Sequence, residues 1–600
     1  MNAHSRTAAA SADAARRSAS KDWLRALQSS SAIEQAPERT LAFVLDYVAA
    51  AHADAIALLS DQESFTFRAL VERSNRYARW ALAQTIEKGG VVCLLMENRA
   101  EYVAVWLGLT RVGVTVALLN ANLSGAALAH CVEAANARHV VVSQRLLGAC
   151  VEALAGVESA PTIVTYGEAG GDACLDRALE RLSGAPLTPT ERRDPSLAER
   201  ALYIYTSGTT GLPKAAIVSH RRLLTWSLWF SGLIDAGPQD RMYNCLPLYH
   251  SVGGVVAVFA PLLAGGSVAI RERFSASRFW DEIAAFDCTL FQYIGELCRY
   301  LVNAPPCPKE TAHRLRLAVG NGLRGDVWRA FQSRFGVPRV LEFYAATESN
   351  FSLYNVEGEP GAVGRTPPFL AYRFTTQIVK FDFEREEPMR DAEGRCVRCA
   401  VDEAGEAIAR IDARGGEFEG YSSRAESEKK MLRNVFENGD AWMRSGDLMR
   451  KDARGFFYFV DRIGDTFRWK GENVATFEVG EVLAACPGVV DAIVYGVEVA
   501  GHDGRAGMAA LAVDATFDLA GLRRHAEATL PPYARPLFLR VGEALETTET
   551  FKHKKRALAA QGFDPRATGH ALYFAEPGGD SYARIDAALY ERIVSGAIRL

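Results

Sequence analysis

The stretch Tyr203-Ile-Tyr-Thr-Ser-Gly-Thr-Thr-Gly-Leu-Pro-Lys-Ala215 carries an apolar strand, Ala201–Tyr205, into a run of hydroxyls and glycines that ends in a lysine. Glycines let backbone N–H groups turn towards an anion, and the hydroxyls of Thr206, Ser207, Thr209 and Thr210 add donors. Lys214 supplies a point charge, and Gly208 and Gly211 are the glycines of the run. The spacing is not that of a Walker loop, because no Gly-Lys-Ser/Thr closes it. A Ser/Thr/Gly linker has a similar composition, but a linker is not preceded by a buried strand and followed by Ala216–His220 and a helix. The stretch therefore predicts a loop that cradles nucleotide phosphates at a strand end of an α/β fold.

The sequence on either side has the alternation that such a fold needs. Phe67–Thr85 has helical apolar spacing, Gly90–Met96 reads as a buried strand, and Glu101–Val112 as a helix. Val114–Leu119 and Ser124–Ala135 repeat the pair, and further strands are expected at Val140–Ser143, Val268–Arg271 and Leu315–Gly320. Strands alternating with helices of ten or more residues imply βαβ units and a mostly parallel sheet. Ser251–Ile270 is uncharged and about as long as a bilayer span needs. Gly265-Gly266 breaks it, so a buried helix followed by a short strand is expected instead.

The texture changes near Gly361, where short polar runs such as Arg390-Asp-Ala-Glu-Gly394 predict hairpins. Asp452-Ala-Arg-Gly455 before Phe456-Phe-Tyr-Phe-Val460 predicts a turn and then a strand. Beyond Gly464 come a helix (Thr476–Ala485), a strand (Val489–Val497) and a helix (Leu519–Thr529) ended by Pro531-Pro532. The expected organisation is a disordered leader over residues 1–40, a large α/β domain over 41–463 with a smaller β-rich part, and a small α+β domain over 464–600, joined at Asp461–Asp465.

Bulk properties exclude some classes of function. A chain of 600 residues exceeds one ordinary core. Its net charge of -4 offers no basic excess, so no nucleic-acid partner is expected. The 11 cysteines are scattered, and Cys396/Cys399 has no second pair to complete a zinc site. Free thiols in a large enzyme fit a reducing cytoplasm. Met1–Ser20 is rich in Ala, Ser and Arg, and Arg16-Arg17 precedes no apolar run, so a disordered leader is expected there.

Six blocks carry a resemblance. They are Met96-Glu-Asn-Arg-Ala-Glu-Tyr102, the Tyr203–Lys214 loop, Leu246-Pro-Leu-Tyr-His-Ser-Val-Gly253, Gly320-Asn-Gly-Leu-Arg324, Glu342-Phe-Tyr-Ala-Ala-Thr-Glu-Ser349 and Phe459–Glu478. Together they resemble the adenylate-forming superfamily. Asp461-Arg-Ile-Gly-Asp-Thr-Phe-Arg-Trp-Lys-Gly-Glu-Asn-Val474 narrows this to a resemblance to the fatty acid transport protein / very-long-chain acyl-CoA synthetase family. The likeness runs from about Phe65 to Leu600 and implies a large adenylate-forming domain with a small mobile C-terminal domain.

The resemblance implies ATP, Mg²⁺ and coenzyme A as cofactors and a fatty acid as substrate. By matching position, Glu348 is the Mg²⁺ ligand and Thr347 a phosphate contact. Tyr344 stacks on adenine, with Gly320, Asn321 and Gly322 lining its other face. Asp447 and Arg462 hold the ribose and phosphate, His250 lies near the acyl carboxylate, and Lys470 and Gly471 face coenzyme A. The apolar helix Gly253–Ala264 is a candidate wall of the acyl tunnel. In Thr547-Thr-Glu-Thr-Phe-Lys-His-Lys-Lys-Arg556, Lys552 is by register the mobile lysine of adenylation, with Lys554 and Lys555 close enough to be mistaken for it. Glu549 stands where the family has glycine. Without the family, Glu348 is an exposed loop acid, Tyr344 ordinary core, His250 a structural histidine, and Asp447 with Arg462 a buried ion pair.

The implied activity is a two-step acid–thiol ligase, in which rotation about Gly464–Asp465 replaces Lys552 by the Lys470–Asn473 segment. Three alternatives stay open at this level. One is a fatty acid carrier at a membrane, and another a CoA ligase for a bile, carnitine-like or aryl acid. The third is an acyl-AMP ligase that loads a carrier protein. A cytoplasmic protein touching the inner face of a membrane peripherally, alone or as a homodimer, is compatible with all of them.

Overall fold

In the computed structural model the described residues are 18–598, apart from 37, 168–173, 208–211, 350, 384, 412–417, 471, 500, 501, 503 and 546–554. At 32, 207 and 556 only the backbone is described. The chain divides into two compact units, Met1–Phe374 with Ile411–Met431, and Thr375–Arg410 with Leu432–Leu600. The expectation of a disordered leader over residues 1–40 is corrected from Ser18 onward: Ala19–Gln35 is a helix whose Trp23, Ala26 and Ile33 are buried in the first unit's core.

The first unit is built on two sheets. One has six strands in the spatial order Thr162–Tyr166, His139–Ser143, Val91–Leu95, Thr115–Leu118, Arg200–Ser207 and Pro213–Ser219. Every pair in it is parallel except the last. The other has eight: Ser352–Asn355, Val340–Ala345, Leu317–Asn321, Leu290–Ile294, Arg241–Asn244, Ser267–Ile270, Ile56–Leu59 and Ser64–Thr66. It is parallel throughout its interior and antiparallel at both edges. The βαβ expectation therefore holds, with element ends displaced by a residue or two.

Local chemistry explains the helices between the strands. The Thr66 side chain accepts from Ala69 N and starts Phe67–Ala83, whose buried residues Phe67, Leu70, Tyr77, Ala78 and Ala81 form one stripe. Ala100–Arg111 is buried on every side as far as Thr110, the pattern of a helix enclosed by protein. One apolar core includes Trp106 and Phe259 from helices and Leu58, Val92, Val116 and Val268 from strands of both sheets.

The uncharged Ser251–Ile270 segment is a buried helix followed by the strand Ser267–Ile270, with a feature that its composition did not announce. Its first turn, Ser251–Val256, is π-helical, and only Ala257–Leu262 is α-helical. Gly253 and Gly254 allow this, because Cβ atoms there would lie 2.4 Å from Pro247 O and 1.9 Å from Leu248 O. π-turns often accompany functional sites.

In the second unit, Thr376–Val379, Gly405–Arg410, Ala441–Lys451 and Phe456–Arg462 form an antiparallel ladder in that order. A five-stranded sheet follows, ordered Val489–Val497, Ala506–Val513, Phe538–Gly542, Ala571–Phe574 and Ala583–Arg584. Helices Thr476–Ala484 and Leu519–Thr529 pack Val479, Leu483 and Leu522 into its core with Ile493, Leu511 and Phe538.

At the ends of the parallel strands in the larger sheet the backbone is closely packed. A Cβ on Gly295 would lie 1.8 Å from Gly322 O, a clash between two stretches of main chain. Gly295→Ala is expected to cost at least about 2 kcal/mol, since backbone must shift to admit the methyl. Urea denaturation measures it, and an unchanged midpoint would contradict the packing described.

Candidate active site

The phosphate-loop stretch is the connection of a β-hairpin. Arg200–Ser207 pairs antiparallel with Pro213–Ser219, and Thr206 stands directly across from Lys214. Gly208, Thr209, Thr210 and Gly211 lie outside the described residues, as does the side chain of Ser207.

A distant segment docks on the second strand of this hairpin. Ile217 N donates to Gly420 O (2.9 Å), Ser422 N donates to Ala215 O (2.9 Å), and Ala216 bridges Tyr421. The docking sets charged and aromatic groups beside Lys214. Its ammonium is ion-paired with Glu426 and lies 5.9 Å from the centre of the Tyr421 ring. Glu426 also accepts from Lys429 Nζ (2.7 Å). Its carboxyl is held below the usual range by the Lys214 contact first and the Lys429 contact second.

The same segment joins the hairpin to the acidic residue of the site, for Gly420 N donates to Glu348 O (3.4 Å). The Tyr421 side chain is buried, and burial above all raises its pKa. Glu348 is itself buried, 6% exposed, which replaces the reading of an exposed loop acid. Lys430 Nζ lies 3.8 Å from Glu348 Oε1. The neighbouring Thr347 hydroxyl is 3.2 Å from Ser251 Oγ, which brings the π-turn and His250, the residue before it, to the same place. The ring of His250 lies 4.6 Å from that of Tyr249.

Beneath this surface lies a buried cation. Arg222 donates to Thr347 O (3.0 Å) and lies 3.4 Å from Glu419, which also accepts from Ser219 N (2.8 Å) and Ser219 Oγ (2.6 Å). Burial lowers the pKa of Arg222, against the pull of Glu419 and Glu348.

The second group of predicted residues lies at the carboxyl ends of adjacent parallel strands, where open α/β sheets bind ligands. Tyr344 is half-buried at the end of Val340–Ala345, its ring 5.1 Å from Phe351 and edge-on to it. Gly320 and Asn321 end the neighbouring strand, and Gly322 follows with φ +78°, the left-handed region that favours glycine. A buried carboxyl holds this turn. Glu342 accepts from Leu323 N (3.1 Å) and from Tyr293 Oη (2.5 Å). Burial pushes its pKa up to about 8.

In the second unit, Asp447 faces Arg462 across an antiparallel pair, with Arg462 Nε 3.9 Å from Asp447 Oδ1 and Arg462 half exposed. That is a loose pair, unlike the buried Glu406–Arg444 pair at 2.8 Å in the same ladder. Lys470 lies between the paired strands Phe467–Trp469 and Glu472–Val474 with φ +51°, its ammonium 5.8 Å from the Trp469 ring. Gly464 lies in a turn where Asp465 N and Thr466 N both donate to Arg462 O. Asp461 accepts from Thr476 N (2.5 Å) and Thr476 Oγ1 (3.1 Å), and Lys555 Nζ is bonded to Thr476 Oγ1 (2.8 Å) and Asp465 (3.1 Å). Lys552, Glu549, Lys554 and Gly471 lie outside the described residues.

Thus Thr206, Lys214, Thr347, Glu348 and the His250 turn are brought together in the first unit, and Gly320–Gly322 lie at a strand end beside that of Tyr344. Sequence reasoning missed Tyr421, Glu426, Lys430, Arg222 and a role for Glu342. The signal for Tyr421 was only a Gly-Tyr pair more than 200 residues beyond the loop that it touches.

The donor set fits a nucleotide and a hard cation. Asn321 Oδ1 is buried without a hydrogen-bond partner among the described residues, an acceptor suited to an exocyclic amine. No group of three or more His, Cys, Asp or Glu among the described residues could hold a metal ion. Glu348 alone suits Mg²⁺, which is commonly held by one or two carboxylates plus substrate phosphates.

The profile of the AMP-binding enzyme family matches residues 45–388, and that of the AMP-binding enzyme C-terminal domain matches 478–552. The chain is 40% identical over 547 residues to long-chain fatty acid transport protein 1 of Homo sapiens, covering 90% of this chain and 84% of that protein. It is 40% identical over 550 residues to long-chain fatty acid transport protein 6 of Mus musculus, covering 90% and 88%. Two solved structures share the fold. ATP-bound MatB from Rhodopseudomonas palustris aligns with TM-score 0.74 at 24% identity, covering 86% of this chain and 98% of that one. The anthranilate CoA ligase AuaEII with anthranoyl-AMP aligns with TM-score 0.74 at 21% identity, covering 87% and 97%.

The buried Glu342 gives a pH signature. Its pKa is about 8 in the folded chain, against an ordinary value near 4.5, so the unfolded chain loses this proton first. The stability that the neutral carboxyl contributes is complete below about pH 4.5 and is lost as pH rises towards about 8. The melting temperature of the wild type should therefore fall relative to that of Glu342→Gln across this interval. Parallel melting profiles would contradict it.

Proposed function

Because the chain belongs to the AMP-binding enzyme family, together with the long-chain fatty acid transport proteins, we propose that it is an ATP-dependent long-chain or very-long-chain fatty acid–CoA ligase acting through an acyl-adenylate. The observation that carries the proposal is that the Gly420–Ser422 segment is hydrogen-bonded both to the hairpin that sets Thr206 opposite Lys214 and to the main chain of buried Glu348. A carboxylate is a poor electrophile and both substrates are anions, so the site must collect cations and hold them in place.

In the proposed first step a carboxylate oxygen attacks the α-phosphorus, the bond to the bridging oxygen breaks, and pyrophosphate leaves with that electron pair. Lys214 and the hydroxyls of Thr206 and Thr347 offset phosphate charge. Asn321 accepts from the adenine amine, and Tyr344 covers its ring. Mg²⁺, held through Glu348, would neutralise charge on the phosphates. His250, beside Ser251, orients the acyl carboxylate. Asp447 accepts from the ribose hydroxyls, beside Arg462 across the strand pair. In the second step a CoA thiolate attacks the acyl carbon and AMP leaves with the electrons of the broken C–O bond.

The domain division 41–463 and 464–600, with rotation about Gly464–Asp465, belongs to the same proposal. So do Lys552 as the adenylation lysine and Lys470–Gly471 as the CoA-facing turn. The engagement of Lys555 by Asp465 and Thr476 supports this register, since it gives the neighbouring lysine a different task. A long-chain acid is favoured by the similarity to the long-chain fatty acid transport proteins. Their names also favour a second role in uptake. No described helix is long and apolar enough to cross a membrane, and uptake by trapping the acid as its CoA ester requires none. A cytoplasmic location with peripheral contact at the inner membrane face completes the proposal.

ATP–pyrophosphate exchange over acids of increasing chain length tests it. Exchange should rise with long-chain acids, and its absence with every acid would contradict the ligase. Lys552→Ala should lower exchange by about 100-fold, the scale on which a charge-stabilising group acts, while Lys554→Ala changes it little. An equal loss in the two variants would show the register to be wrong.

A further inference from the structure

Two charges that the proposed function assigns to MgATP are both engaged by one short segment of the chain. Lys214 is ion-paired with Glu426, and Glu348 faces Lys430 at 3.8 Å. Glu426 lies in the helix Arg424–Glu428, and Lys430 follows two residues after its end. Glu426 thus presents an anionic oxygen to Lys214, as a phosphate would. Lys430 presents a cation to Glu348, as a metal ion would.

The segment is anchored by bonds that involve neither charge. Its backbone is fixed to the hairpin through Gly420 and Ser422, Tyr421 N donates to Ser427 Oγ (2.9 Å), and Ser423 caps the helix. The two side chains can therefore exchange partners while the backbone beneath them stays in place. Glu426 and Lys430 are also four residues apart, the spacing at which a glutamate followed by a lysine pairs on a helical turn. Their release from Lys214 and Glu348 would let them neutralise one another.

We infer that Glu426 and Lys430 are competing counter-charges that set the affinity of this site for MgATP, with nucleotide binding an exchange of ion pairs rather than the filling of a bare cationic pocket. The inference rests on the ligase reading given above. The triphosphate takes Lys214 from Glu426, the cation takes Glu348 from Lys430, and the two displaced side chains pair together. Neither is a catalytic residue in this scheme. Each acts through the group it occupies, so its effect appears in binding and not in the chemical step.

Calorimetric titration of the full chain with ATP, in EDTA and again with Mg²⁺, tests this without turnover. Glu426→Gln should tighten metal-free ATP binding by about three- to tenfold, the range for release of a partly buried ion pair. Lys429→Met removes the other partner of Glu426, leaves it to Lys214 alone, and should weaken the same binding. Lys430→Met should enlarge the ratio of the metal-free to the Mg²⁺ dissociation constant by several-fold. Unchanged or weaker ATP binding in Glu426→Gln, or an unchanged ratio in Lys430→Met, would overturn the exchange while leaving the ligase intact. A wild-type chain that binds no ATP would overturn both.

Discussion

The antiparallel register that sets Thr206 across from Lys214 governs the arrangement of the first unit's site. It fixes where the lysine stands, and it leaves the second strand with an edge on which residues 418–431 can dock through main-chain bonds to Ala215 and Ile217. That docking also reaches Glu348, whose main-chain oxygen accepts from Gly420 N and whose carboxylate faces Lys430. A polar group buried at such a junction must keep its partners, because each one left unmet would carry its own desolvation cost. Three parts of the chain far apart in sequence thereby share one hydrogen-bonded junction.

Charge is handled differently in the two parts of this unit's site. Near the hairpin, Lys214, Glu426 and Lys430 are partly exposed, so these side chains can exchange partners at little cost, and only Glu348 is buried. At the strand ends the carboxyl of Glu342 is buried and its pKa rises to about 8, and it acts as a hydrogen-bonding brace for Leu323, the residue after Gly322. The first arrangement suits groups that must change partners, and the second a wall that must keep its shape. Gly295 contributes to the wall by leaving room for the carbonyl of Gly322.

Much of this was legible in the sequence because it rests on local signals. The Val489–Val497 strand and the Leu519–Thr529 helix appear with the expected ends, since apolar period and the Pro531-Pro532 break define them. The phosphate loop and the strand before it were recognisable from glycine and hydroxyl content. The π-helical start at Ser251 was not, because it depends on Gly253 and Gly254 meeting carbonyls of the preceding turn. Nor was the partnership of Lys214 with Glu426, since the pairing of residues 212 positions apart leaves no periodicity to read. Composition alone would have left Glu348 an exposed acid, and only its burial under Tyr421 and Lys430 shows otherwise.

In the proposed mechanism these groups activate a carboxylate by adenylation before any thiol is involved. The most direct measurement is product analysis with ATP, Mg²⁺ and a long-chain acid but no coenzyme A. The expected product is an enzyme-bound acyl-adenylate with one pyrophosphate released per site, converted to acyl-CoA and AMP when coenzyme A is added. Release of ADP and inorganic phosphate, or no ATP cleavage until coenzyme A is present, would contradict it.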